Sequence, residues 1–395
     1  MASGRRILPK KVRTESFWQS ATGILTRQDG QAPVYIWQVA DYVGQTLRIA
    51  LVDQDTRTGC ALFCSGFEIL NASDFEAGEF AGFMAGMAQK NKLGQMSRYD
   101  TRHFTGISNS VESFSESRLR DCEMLYSTFC NHFRHKGFTV HDPDTKLMLA
   151  IFDSQAGFEA YLGQKVSPLV TGIYHKQSNR LVTYDYGTND SYLASKRRAE
   201  TETRRNSSDL ERLSNLEALS RKAQDVRAAA NVGTMMHETA HQLSFNCGLF
   251  NREGDVPLWA AEGLACYCEC TVNGAWQGIG ELNPERLAAL AAMVREARKP
   301  IPLKDLVGSD DWLRSQTDKR RLLLGYAQSW ALFRMLMEQQ PRALEKYLQS
   351  IYSRRTNDHR LEDFCAIFGR DLANLEWKYQ QYMENLAAQI PAAKH

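Results

Sequence analysis

Hydrophobic and polar positions alternate in different rhythms along this chain. Up to residue 97, short β-branched and aromatic runs (VYIWQVADYV, LRIALVDQ, CALFCSGFEIL) lie between polar turns and predict several strands. AGEFAGFMAGMAQKNKLGQ, rich in Gly, Ala and Met, predicts a short helix with a loose connection. From about residue 100 the pattern sharpens. RHFTGISN reads as a strand. Leu119, Cys122, Leu125, Phe129 and Phe133 then recur at helical spacing, behind a cap at Ser115 or Ser117 and ahead of a stop at Gly137. KLMLAIFD is a compact buried strand, SQAGFEAYLG a short helix opened by Ser154, and GIYHKQ with RLVTYDY a hairpin turning at Ser178–Asn179.

SKRRAETETRRNSSD carries many charges and no large apolar residue, which predicts a solvated linker or exposed insertion. Beyond it, Leu210, Leu213, Leu216 and Leu219 form an amphipathic stripe, and LLLGYAQSWALFRMLME repeats the helical pattern. The Ala-rich tail predicts a frayed end. The chain thus divides into a strand-rich region of unknown role (1–97), a mixed α/β unit (98–190), the charged segment (191–207) and a helical unit (208–395). The fold class is α+β, with a mixed sheet and a mostly helical C-terminal lobe.

Composition narrows the function classes. In 395 residues, 48 Lys plus Arg nearly cancel 46 Asp plus Glu, so the net charge of +2 gives no reason to expect nucleic acid or a membrane surface as partner. No run approaches 18 apolar residues, and no apolar segment follows the basic start, so neither a membrane span nor an export signal is expected. Nine cysteines in no repeating framework suggest reduced thiols and a cytoplasmic location.

The strongest chemical signal is His237-Glu238-Thr239-Ala240-His241. On a helix, positions i and i+4 share a face, so both imidazoles can point at one ion while Glu238 reaches the same opening. Tetrahedral zinc accepts such nitrogens at about 2.0–2.1 Å. The pentapeptide is short enough to arise by chance on a wet helix, so a third ligand is required. Glu262 is the candidate. It is separated from His241 by 20 residues and lies in VPLWAAEGLA, where Pro257 and Trp259 predict a helix start. A carboxylate in so apolar a segment is costly unless paired or metal-bound. The small residues at 260, 261, 263 and 265 would let this helix approach the first. Zinc held by His237, His241 and Glu262 would lower the pKa of a water to about 7, with Glu238 as general base.

HETAH followed by WAAEG resembles the gluzincin metallopeptidases, and HETAHQLSFN…VPLWAAEGLA with the preceding α/β unit is similar to the peptidase-MA-like domain family. The resemblance covers about residues 100–380 and is concentrated in 235–265. It implies a zincin-like (thermolysin-like) core, a peptide or protein substrate, and an edge strand in 170–185 that pairs with extended substrate backbone. It also implies an oxyanion-stabilising tyrosine, for which Tyr326 stands in the expected place; a partly buried core aromatic is the competing reading of that residue.

One position departs from the family pattern. Four residues past Glu262, where related enzymes often carry an Asp that orients a zinc histidine, this chain has Cys266, a poor acceptor. A zinc-binding scaffold that cleaves nothing therefore stands as the alternative function. If the helix runs on, Cys266 and Cys270 share a face and could form a second metal or redox site; small buried hydrophobes are the plainer reading of Cys266, Cys268 and Cys270. Oligomeric state is not legible.

Overall fold

The computed structural model describes residues 72–168, 170–206, 209–314 and 318–389, together with a short antiparallel pair, β1 (Lys10–Lys11) and β2 (Tyr35–Ile36). The chain divides into two compact units, Met1–Ile69 and Leu70–His395. The other strands expected before residue 70 lie outside the described residues. The second unit carries the five-stranded sheet and the described helices.

This unit begins earlier than the sequence reading placed it. The Gly/Ala/Met-rich stretch is a full helix, α1 (Ala72–Asn91), and its Ala77, Phe80 and Met84 are completely buried against the sheet. The boundary therefore falls near residue 70, because this apolar face has a partner. A strand that sequence did not suggest follows, β3 (Ser97–Asp100), polar and largely exposed. Then come β4 (Phe104–Ser108), α2 (Glu112–His135), β5 (Leu147–Phe152), α3 (Gln155–Leu162), and the hairpin β6 (Gly172–His175) and β7 (Arg180–Tyr184). Asn179 turns the hairpin at φ +56°. Ser154 caps α3 by accepting from Gly157 N–H at 3.3 Å. Neither Ser115 nor Ser117 caps α2: Val111 holds that position, and Ser115 bonds instead to Ser108 Oγ at 2.8 Å.

The strand order is β3-β4-β5-β7-β6, parallel in the middle and antiparallel at both edges. All six residues of β5 are buried. Leu147, Leu149 and Ile151 face a core shared with α2 and the metal-motif helix, while Met148, Ala150 and Phe152 face α1 and α3. Alternation at period two, with both faces covered, is what a central parallel strand requires.

The segment expected to be a linker or exposed insertion is helical. It forms α4 (Asp190–Asn206), which packs beside α5 (Asp209–Asn246) and ties to it where Tyr192 Oη donates to Ala223 O at 3.0 Å. Its charges face water and leave no apolar stripe for sequence to show. The helical unit continues with α6 (Leu258–Cys268), a small hairpin of β8 (Thr271–Val272) and β9 (Ala275–Trp276), α7 (Pro284–Arg295), α8 (Leu303–Gly308) and α9 (Asp311–Arg314). It closes with α10 (Lys319–Gln339), α11 (Pro341–Tyr352), α12 (Arg360–Phe368) and α13 (Leu372–Ala387). The architecture is α+β with a mixed sheet. Among the described residues no helix is long and apolar enough to cross a membrane.

Candidate metal centre

The motif helix α5 is 38 residues long, and its second half is clamped to the sheet. Buried Gln242 donates to Met148 O (3.2 Å) on β5 and to Asn179 O (3.1 Å) in the hairpin. Thr239 meets Cys122 of α2 at 3.2 Å. Gly172 lets edge strand β6 lie directly on the helix, since a Cβ there would come within 2.6 Å of Thr234 and 3.1 Å of Glu238. The opposite face, with His237 and His241, is left for the site.

Helix α6 supplies the third group. Pro257 is its N-cap, one position before the first helical turn, and Asp310 accepts the Leu258 N–H at 3.0 Å. Asp310 is held by Arg360 Nη1 (2.7 Å), which Asp255 grips in turn (2.7 and 2.6 Å). Trp259 is fully buried against Tyr347 and Phe364. Gly263 serves α10 rather than α5: its Cβ position lies 2.5 Å from Ser329 O and 2.9 Å from Phe333 Cβ. So pinned, α6 brings Glu262 to the two histidines.

His237 Nε2 lies 3.2 Å from His241 Nε2 and 3.2 Å from Glu262 Oε2, and His241 Nε2 lies 3.4 Å from the same oxygen. All three side chains are mostly buried, between 10% and 14% exposed. The donor set fits zinc. Four ligands about 2.0–2.1 Å from a tetrahedral centre stand roughly 3.3 Å apart, because a tetrahedral edge is about 1.6 times the bond. His237, His241 and Glu262 are thus a possible metal-binding group. Glu238, on the adjoining flank, accepts the Tyr174 N–H of β6 at 2.7 Å. The Tyr326 ring stands 6.5 Å from that of His237, which brings this residue to the site's edge.

Three residues went unseen in the sequence. Glu269, just past the end of α6, takes the Nδ1–H of His237 at 2.5 Å. An ionised carboxylate only accepts, so Nδ1 carries a proton, and whenever the ring is neutral its lone pair sits on Nε2, the nitrogen that faces Glu262. Glu269 Oε1 in turn accepts from Asn283 Nδ2 (2.8 Å), the N-cap of α7, and from Arg286 Nε (2.8 Å) on that helix's first turn. Arg286 also lies over the Tyr326 ring, 5.5 Å from its centroid.

Electrostatics follow this arrangement. Burial alone would raise the Glu269 carboxyl, but Arg286 and His237 hold it down to about 2. Burial likewise opposes the charge on Glu262, which His241 and His237 nevertheless keep well below the ordinary carboxylate range. Burial depresses His237, yet the Glu269 charge lifts it well above the usual imidazole value. The charge of Glu262, then burial, pushes the Tyr326 hydroxyl well above its normal range, which keeps it a donor.

The cysteine readings resolve differently. Cys266 does reach His237 and Glu269, but burial raises its thiol, and Glu269 is already committed to Arg286 and Asn283. Cys270 shares no helix face with it, because α6 ends at Cys268 and the Cys270 thiol donates to Leu282 O at 3.2 Å. All three are buried and free.

Residues 231–358, about a third of the chain, match the family DUF1570, described as a protein of unknown function. That span contains His237, Glu238, His241, Glu262, Glu269, Arg286 and Tyr326. No curated protein matches the chain.

Proposed function

We propose that this chain is a zinc-dependent metallohydrolase of the gluzincin kind, a peptidase with a zincin-like core. The observation that carries the reading is the triangle of His237 Nε2, His241 Nε2 and Glu262 Oε2, with sides of 3.2, 3.2 and 3.4 Å. A proton can lie along only one side of such a triangle. A divalent cation bonds to all three corners at once, and His237, with its proton held on Nδ1, offers Nε2 as a ligand. Two imidazoles and one carboxylate suit zinc, and zinc when bound supplies Lewis acidity and a water whose pKa falls to about 7.

The chain's own residues do the rest. Glu238 stands beside the site, anchored by the Tyr174 amide, and serves as the base that takes a proton from water and returns it to the leaving amine. Such a role is typically worth about 10²–10⁴-fold. Tyr326 Oη donates to the developing oxyanion. Edge strand β6 flanks the motif helix, and an extended peptide backbone is the substrate shape that such an edge accepts. The scaffold alternative rests on the absent acceptor at Cys266 and on the unassigned role of residues 1–97; Glu269, as an acceptor for His237, supports the enzyme reading on the first of these grounds.

The test is metal analysis of the purified protein beside a peptide-library digest, with and without chelator, for wild type and Glu238→Gln. The expected result is stoichiometric zinc in both proteins and chelator-sensitive cleavage by wild type alone. Zinc without cleavage by wild type would favour the scaffold. A wild-type protein that takes up no zinc sinks both.

A further inference from the structure

Arg286 touches the candidate centre on two sides. Its Nε (2.8 Å) and Nη2 (2.7 Å) both reach Oε1 of Glu269, and Asn283, the N-cap of the same helix, donates to that oxygen as well. With Oε1 taken, Oε2 is the oxygen left for His237. The other contact of the guanidinium is the Tyr326 ring, with Cζ 5.5 Å from the centroid. The side chain is only 13% exposed, so both contacts form away from bulk water, where ion pairs and cation–π contacts gain strength. A lysine would keep the charge but lose the two-nitrogen grip on Oε1 and the guanidinium over the ring.

We propose that Arg286 is a positioning residue for both halves of the centre: through Glu269 it orients the metal ligand His237, and through the guanidinium that lies over its ring it sets Tyr326. This inference rests on the zinc reading above. It joins a ligand on α5 to an oxyanion donor on α10 by way of the first turn of α7, three elements that the chain order keeps far apart.

Three measurements on the full chain test it: Zn2+ affinity by competition with a chromogenic chelator, the d–d spectrum of the Co2+-loaded protein, and the affinity of that Co2+ protein for acetohydroxamate. Arg286→Lys should weaken Zn2+ by about 10–100-fold and alter the Co2+ spectrum, and Glu269→Gln should do the same. The double variant should be little worse than either single one, because both break one contact chain. Acetohydroxamate should bind Arg286→Lys more weakly than Glu269→Gln, and this difference should vanish when Tyr326→Phe is present in both.

If Arg286→Lys fails to fold, Glu269→Gln and Asn283→Ala carry the affinity and spectral test. Wild-type Zn2+ affinity and an unchanged spectrum in these variants would overturn the inference while leaving the zinc reading intact, as would losses that multiply in the double variant. Absence of zinc from the wild-type protein would overturn both together.

Discussion

His237 Nδ1 lies 2.5 Å from a carboxylate oxygen of Glu269, a residue seven places beyond Glu262 and just outside its helix. Four residues past Glu262 the chain has Cys266, and the carboxylate partner of His237 comes instead from the residue after the helix end. Two helical turns separate Glu262 from Glu269, enough for the two carboxylates to approach opposite nitrogens of one ring. One presses on Nε2 from the open side, the other on Nδ1 from behind.

Removing a ligand should uncouple folding stability from zinc. A ligand that binds only the native state stabilises by about 2.7 kcal/mol at a free concentration 100 times its Kd. Wild type should therefore melt higher with saturating Zn2+ than with chelator, and Glu262→Ala or His241→Ala should show little or no shift. Equal shifts in wild type and Glu262→Ala, read by calorimetry, would remove Glu262 from the ligand set.

Tyr326→Phe deletes one hydroxyl and keeps the ring that packs on Trp312 and Arg286. Zinc content and melting temperature should be unchanged, while kcat falls about 100-fold with little change in KM. A variant with wild-type kcat would make Tyr326 a core aromatic and nothing more.

Gly263→Ala should damage the centre from behind. The added methyl would meet Ser329 O at 2.5 Å and Phe333 at 2.9 Å, and neither the α10 backbone nor a buried Cβ can step aside cheaply. Overpacking of this kind costs about 1–3 kcal/mol, and its relief by moving α6 would drag Glu262 with it. Denaturant midpoint and Zn2+ affinity should fall together. A loss of stability with unchanged zinc binding would show that α6 yields elsewhere.

Acid should weaken the fold partly through His132, on α2. Burial, helped by Lys136 and His135, pushes this imidazole down to about 4, and its Nε2 lies 3.2 Å from Tyr267 Oη. Between pH 6.5 and about 4 the unfolded chain binds a proton there that the native state refuses. Stability from this group is therefore whole above pH 6.5 and lost as pH falls toward 4. Allowing for partial exposure, the loss is of order 1–2 kcal/mol. Urea midpoints measured across that window should fall less steeply with acid in His132→Gln. Parallel curves for the two proteins would exclude His132.

The parts of this molecule that sequence revealed share a physical reason. Buried strands, α2, α3 and the hairpin show themselves because their side chains alternate or recur with the period of their backbone. His237, His241 and Glu262 show themselves because a helical spacing and an oddly placed carboxylate both need explaining. The misses are where period carries nothing. β3 is short and mostly wet, and α4 turns charged and small polar side chains to water. The small residues of α6 do mark a close approach, but Gly263 spends it on α10, and composition does not say which neighbour is meant. Glu269 follows the last turn of its helix, while Asn283 and Arg286 arrive after an intervening hairpin, so no spacing rule joins them. Their alignment exists only once α6, α7 and α10 have packed.

The group that holds Glu238 is the peptide nitrogen at position 174, not the tyrosine that happens to carry it. Any residue but proline supplies the same hydrogen, so this anchor is free to survive wholesale drift in side-chain identity. Alanine scanning would pass over it, as would any reading of tolerated substitutions. Replacing that amide by an ester through semisynthesis, or placing proline there, is the way to make its contribution visible.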